Sequence, residues 1–259
     1  MMLRLIALIV STSCLSVAQG PLGFELKRVE RKTPGCVITF EYPEIVSAAS
    51  ALARDRINAG ILQILLRPPQ WPPAPDSGIR LLEGYVNFFQ KQCQGSHDWA
   101  KGTDEGGPVG RALYEHKRVT IFRYTPPILS LRCVAETDAG GVHPYGTTVF
   151  LNFEMATGKN VRLSDMLKSG GLAKLESVAE VNFRRDHNLP ASEDLSATGF
   201  SFPGDRFKLN DNFGVGEDEL VFVFNTYEIS AGAMGATEIR LPYQVISELL
   251  KPEMRLSQW

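Results

Sequence analysis

The short signatures that announce common enzyme chemistries are absent from this chain. It holds no HExxH zinc helix, no GxSxG elbow, no CxxC pair, no GxGxxG opening a helix and no P-loop. Histidine is scarce, with four in 259 residues, and no two stand at ligand spacing. The usual imidazole-rich metal centre is therefore excluded, and neither a metal nor another cofactor is expected. Charge of one sign is also lacking: 27 basic against 29 acidic residues give a net charge of −2, which excludes the electrostatic footprint of a nucleic-acid binder. There is no internal repeat or low-complexity tract. Past the first two dozen residues, no apolar run approaches the roughly 20 residues that span a bilayer.

What is present begins with a leader. Arg4 supplies a positive charge, Leu5 to Val17 is apolar, and Ser16-Val17-Ala18 before Gln19 offers the small residues that signal peptidase reads. Cleavage after Ala18 is expected, with a retained membrane anchor as the competing reading and a lipid on Cys14 as a lesser one. Removing residues 1–18 takes one Arg and no acid, leaving 26 minus 29, a charge of −3. The expected location is periplasmic or secreted, with no stable membrane insertion after cleavage. The remaining 44% hydrophobic chain is long enough to bury a substantial core.

Three cysteines survive that cleavage, an odd number in a compartment that favours disulfides. Cys36 precedes an apparent strand and Cys93 ends an apparent helix, positions where chain ends meet. Cys133 lies inside an alternating strand pattern. One bridge, Cys36 to Cys93, with Cys133 buried and free, is the expectation; three reduced, packed thiols are the alternative.

Periodicity divides the chain into interleaved strands and helices. Cys36 to Tyr42 is rich in β-branched and aromatic residues and stops at Pro43. From Ala49, apolar residues recur at three and four positions through Leu65, predicting a helix that ends before Pro68 and Pro69. Five prolines around Trp71 make 68–77 an irregular connection. A second helix follows from Ile79 to Phe89. Period two then marks strands at 119–122, 128–135 and 149–153, with Thr157-Gly158-Lys159 as a turn, Val161–Leu163 as the closing strand and Ser164 as a helix cap. A third helix is predicted over 172–188, strands over 220–224 and 237–241, and a terminal helix over 242–250. The fold class is α+β: a mostly antiparallel sheet packed with about three longer helices.

Ile128 to Leu167, and then Leu220–Phe224, Asn225-Thr226-Tyr227-Glu228-Ile229, Gly235 and Ile239-Arg240-Leu241-Pro242-Tyr243, resemble the RsiV/PdaC-like extracytoplasmic C-terminal domain family. The marks within the first stretch are Gly140-Gly141-Val142-His143, Asn152-Phe153-Glu154, Thr157-Gly158-Lys159 and Leu163-Ser164-Asp165. Phe40 to Ile45 followed by Arg56-Ile57-Asn58 resembles, more loosely, the small N-terminal domain that accompanies it. The resemblance implies a leader over 1–18, an α+β domain over 19–125 and an RsiV-like domain over 126–259. It also implies a non-enzymatic recognition module whose partner is a protein such as lysozyme or a cell-wall glycan. Only Met1 to Arg4 precede the apolar stretch and no deacetylase domain is apparent, so the expectation is the accessory module alone.

The candidate contact residues lie in two loops, Asp138 to Gly146 and Tyr227 to Gly235, expected to converge on one face. Asp138, His143, Tyr145, Tyr227 and Glu228 offer two amphipathic rings, an imidazole and two carboxylates. The same groups could instead tie the loops together. A cell-envelope hydrolase using His143 with Asp138 or Glu228 is the competing function. Trp71 and Trp99 are candidate aromatic surfaces or plugs, and His97, His116 and His187 are expected to face solvent. Export predicts a mature chain starting at Gln19, which intact-mass measurement of periplasmic protein checks; retention of Met1 or a lipidated Cys14 would overturn it.

Overall fold

The computed structural model describes residues 22–67, 81–102, 113–138 and 143–254, without the side chains of 94–102 and 125. The leader, Trp71 and the side chains of His97 and Trp99 lie outside the described residues.

Two sheets organise the chain. The first has five strands in sequence order: β1 (Gly23–Thr33), β2 (Cys36–Ser47), β3 (Leu113–Thr125), β4 (Ile128–Asp138) and β5 (Tyr145–Glu154). All its pairings are antiparallel except β2 with β3, which run parallel. A parallel pair requires a long crossover, and α1 (Ala51–Leu65) and α2 (Leu82–Gly102) lie within it. The second sheet has three antiparallel strands, β6 (Phe213–Val215), β7 (Glu219–Phe224) and β8 (Thr237–Pro242). The mixed α+β class and the antiparallel majority agree with the sequence reading; the division into two sheets was not foreseen.

Ser50 starts α1 by accepting a hydrogen bond from Ala53 N at 3.1 Å, the ordinary serine cap. The stripe Ile57, Ile61, Ile64 and Leu65 is buried against Ile38 and Phe40 of β2 and Leu129 and Leu131 of β4 in one core. Each such side chain contributes about 1.5–3 kcal/mol by leaving water. Pro43 does not stop β2. Pairing with β3 ends at Glu41, so Pro43 is unpaired on the β3 side, where a missing N–H costs little. Gly158 takes φ +67 and lies so close to the Ala53 backbone that no Cβ fits, which is why the turn after β5 needs glycine.

A second core joins the three-stranded sheet to α4 (Gly171–Asp186), through Leu175, Ala179 and Phe183 on the helix and Leu220, Phe222, Ile239 and Leu241 on the strands. The one-turn α3 (Leu163–Met166) is started by Arg162, whose N–H bonds to Asp165 at 2.9 Å, and not by Ser164. No strand forms over 161–163, where a closing strand was expected; the isolated bridge Phe153 to Asn160 lies just before it. The terminal helix is also shorter than expected: α5 (Tyr243–Ile246) gives way at once to a 3-10 turn. The boundary read between 125 and 126 falls at the β3–β4 turn, beside the cis Pro126–Pro127 bond, within the continuous five-stranded sheet.

Cys36 and Cys93 are bridged, with Cα atoms 5.9 Å apart, fastening the start of β2 to α2. Cys133 is free and buried. Burial pushes its thiol up to about 12, so it stays protonated and inert.

The polar groups inside the first core were not foreseen. Glu115 and Lys117 of β3 are buried and paired at 2.7 Å. Tyr85 of α2 donates to Glu115 at 2.8 Å. Lys117 Nζ also donates to the Leu65 and Arg67 carbonyls at 2.7 and 2.6 Å, closing the C-terminal end of α1. Desolvation lowers the Lys117 pKa, opposed by the Glu115 charge. Lys117→Met would leave Glu115 buried without its cation and is expected to cost about 3–5 kcal/mol in urea unfolding. Adding Glu115→Leu should recover most of that loss; an additive double mutant would show that the two do not act as a pair.

Candidate functional site

Alternation within the strands decides where the candidate groups go. Tyr145 opens β5 directly opposite Thr137, so both share the helix-covered face of the first sheet. Tyr145 is half-buried there, and burial followed by the Glu115 charge pushes its phenol up to about 12. Asp138, one residue past Thr137, turns to the opposite face, pairs across from Tyr114 and is wholly buried. Its carboxylate belongs to the packed end of β4 and not to the surface. His143 is exposed just before β5.

The other loop follows β7. Glu228 N donates to Asn225 O at 3.0 Å, closing a four-residue turn with Thr226 and Tyr227 at its centre. Tyr227 stands at the third position with φ +71, in the left-handed region that such turns usually reserve for glycine or asparagine. Its side chain is 61% exposed. The ring lies over Gly232, so closely that a Cβ on Gly232 would overlap Cζ and the hydroxyl. Gly232 is therefore the seat of the ring. Glu228 is engaged at both oxygens: Oε2 accepts from Asn225 N at 2.8 Å and Oε1 from Asn210 Nδ2 at 2.7 Å. Of the two roles open to it in the sequence, the tie is the one its geometry serves.

The two loops emerge at the same end of β5. Asn225 accepts from Thr148 N at 2.7 Å and donates to Thr148 O at 3.1 Å, while Tyr145 lies three residues back, about 10 Å along an extended strand. Asn212 donates to the same Thr148 carbonyl at 2.8 Å and accepts from Phe150 N at 2.9 Å. The side chains nevertheless diverge. Tyr145 turns toward the helices, whereas the second sheet meets the other face through Phe150, Val221, Val223 and Phe122. The structure thus brings Tyr227 and Glu228 into one unit and leaves Tyr145 and Asp138 on separate faces.

Sequence reasoning missed the asparagines. Asn210, Asn212 and Asn225 flank buried apolar strands, and that flanking position was the available signal. His116 is exposed and stacked on Tyr114, with ring centroids 4.9 Å apart. His187 does not face solvent freely. It is half-buried between Phe183 and Phe200, each 4.7 Å away between centroids, and desolvation lowers its pKa. Among the described residues there is no group of three His, Cys, Asp or Glu that could hold a metal, and no helix long and apolar enough to cross a membrane.

The stretch that carries α3, α4, the second sheet and the Tyr227 turn is also where a family is recognisable. Residues 164–244 match the family described as "Protein of unknown function (DUF3298)"; the chain contains a DUF3298 domain over that span. Two solved structures share the fold across nearly the whole chain. One is a DUF3298 family member from Bacteroides fragilis, 20% identical, covering 92% of this chain and 96% of its own, with a TM-score of 0.72. The other is a DUF3298 family protein from Pseudomonas aeruginosa, 16% identical, covering 92% of this chain and 99% of its own, with a TM-score of 0.65. No curated protein matches.

A tyrosine forced into the left-handed region costs about 1–2 kcal/mol. Tyr227→Gly is expected to raise the urea midpoint, by about 1 kcal/mol in stability. A lower midpoint would mean that the ring's contact with Gly232 outweighs the strain.

Proposed function

We propose that this protein is an exported, periplasmic, non-enzymatic recognition module of the RsiV/PdaC-like kind, and that the Tyr227 turn is its principal contact. Its ligand is a protein such as lysozyme or, failing that, a cell-envelope glycan. One observation carries the reading: Tyr227 is held at φ +71 with 61% of its surface exposed. A residue kept in a costly conformation while most of its surface stays exposed adds little to folding, and such strain gathers at sites of binding and catalysis. A rigid, exposed aromatic ring is the kind of anchor that dominates recognition surfaces.

The competing hydrolase needs a carboxylate to activate His143. Both Glu228 oxygens are already taken by Asn210 and Asn225, and Asp138 is wholly buried. Binding is favoured on that ground. Export rests on the leader read in the sequence, and the RsiV/PdaC-like kinship on the motifs from Ile128 to Tyr243.

Immobilised lysozyme and purified peptidoglycan fragments provide the test. The mature protein is expected to bind one of them without turning over either. Tyr227→Ala should weaken binding by about 30-fold, the equivalent of a hot-spot loss of about 2 kcal/mol, with intact folding by circular dichroism. Turnover of peptidoglycan abolished by His143→Ala would overturn the proposal, as would binding that Tyr227→Ala leaves unchanged.

A further inference from the structure

Within the Tyr227 turn, the strained residue does not hold itself in place. Its conformation depends on the 225–228 turn staying closed, and the closure has two parts. The backbone bond from Glu228 N to Asn225 O, 3.0 Å, sets the turn. The Glu228 carboxylate then reaches back to Asn225 N at 2.8 Å, so the Glu228 side chain has to point toward the end of β7 and away from water. A glutamate with three rotatable bonds leaves that pose unless something fixes it.

Asn210 supplies the fixing contact from outside both loops. Its Nδ2 donates to Glu228 Oε1 at 2.7 Å and to the Val223 carbonyl at 2.8 Å. Its Oδ1 accepts from Asn212 N at 3.2 Å. The amide is thus registered on β7 and on the segment entering β6, and it meets Glu228 in a charge-assisted hydrogen bond, the stronger class of such contacts. We propose that Asn210 is the positioning residue of the Tyr227 contact, acting through Glu228 to keep Tyr227 left-handed with its ring seated on Gly232.

The same geometry explains a division of labour among the asparagines. Asn225 and Asn212 hold the backbone of β5, joining the sheets, whereas Asn210 holds the carboxylate of the turn. Loss of Asn210 should leave the sheets joined and release the turn. Tyr227 would then relax toward the ordinary φ < 0 regions that a bulky residue prefers, and the ring would leave Gly232.

The role in ligand contact rests on the reading of Tyr227 given above, so the test has one arm that needs no ligand. A tyrosine ring lying on a glycine shifts that glycine's α-proton resonances upfield, and nuclear magnetic resonance of the mature chain reports it directly. Asn210→Ala and the milder Asn210→Ser are both expected to lose the Gly232 shift while the amide signals of Val221 to Phe224 stay in place. Retention of the shift in the folded Ser variant would overturn the proposal. In the second arm, both variants should bind immobilised lysozyme at least tenfold more weakly than the parent. Undiminished lysozyme binding with the shift lost would overturn the positioning role in recognition. No lysozyme binding by the parent, with the shift lost in the variants, would leave Asn210 established as the holder of the turn and remove lysozyme as the ligand.

Discussion

The architecture depends on how one strand edge is satisfied. β5 is the last strand of the five-stranded sheet, and an unpaired edge exposes a row of N–H and C=O groups that must find partners. Here two asparagine side chains act as substitute peptide groups. Asn225 covers both the N–H and the C=O of Thr148, and Asn212 covers Phe150 N and shares the Thr148 carbonyl. Because both asparagines flank strands of the second sheet, satisfying the edge of the first also fixes the second against it. Deeper in the seam, Asn152 donates to Phe213 O at 2.7 Å, and Ser130, bonded to Asn152, accepts from Val215 N at 3.2 Å. Arg123 closes the far end on the carbonyls of Gly216 and Glu217. The seam is thus polar and fully directional, with Phe122, Phe150, Val221 and Val223 as its small apolar filling. Hydrogen bonds specify register where hydrophobic contact alone would allow sliding.

The Tyr227 turn inherits its rigidity from this seam. Asn225 is both the residue that grips Thr148 and the first residue of the turn that carries Tyr227. The carbonyl of Val223 receives Asn210 and Asn212 together, so the end of β7 is held from two directions before the chain leaves it. The turn is thus pre-organised, and any association through it, as proposed above, would carry a smaller ordering cost.

How much of this was legible depended on whether burial followed residue type. The stripe of α1, the alternation of β4 and β5 and the Cys36–Cys93 bridge follow rules in which apolar residues face inward and chain ends meet, and these were readable. Glu115 and Lys117 invert the rule. In Leu113 to Phe122 the charged residues alternate as an exposed strand face would, yet these two point into the core, because each neutralises the other and Tyr85 completes their bonds. Nothing local distinguishes that arrangement from a solvated face. The same holds for the asparagines, whose partners lie 62 or more residues away in the case of Phe150 and Thr148. Tyr227 was legible as a candidate from its place after a buried strand, but its left-handed backbone was not, since turn chemistry predicts glycine there.

The near end of β1 is fastened by more than its own ladder. Leu22 is buried, and its N–H and C=O both meet the Tyr124 hydroxyl, at 3.0 and 3.2 Å. The chain therefore enters the fold at a point anchored on β3. The edge strand is thus held past its neighbour β2, because Tyr124 belongs to β3, so fraying of β1 from this end has to break both hydrogen bonds first.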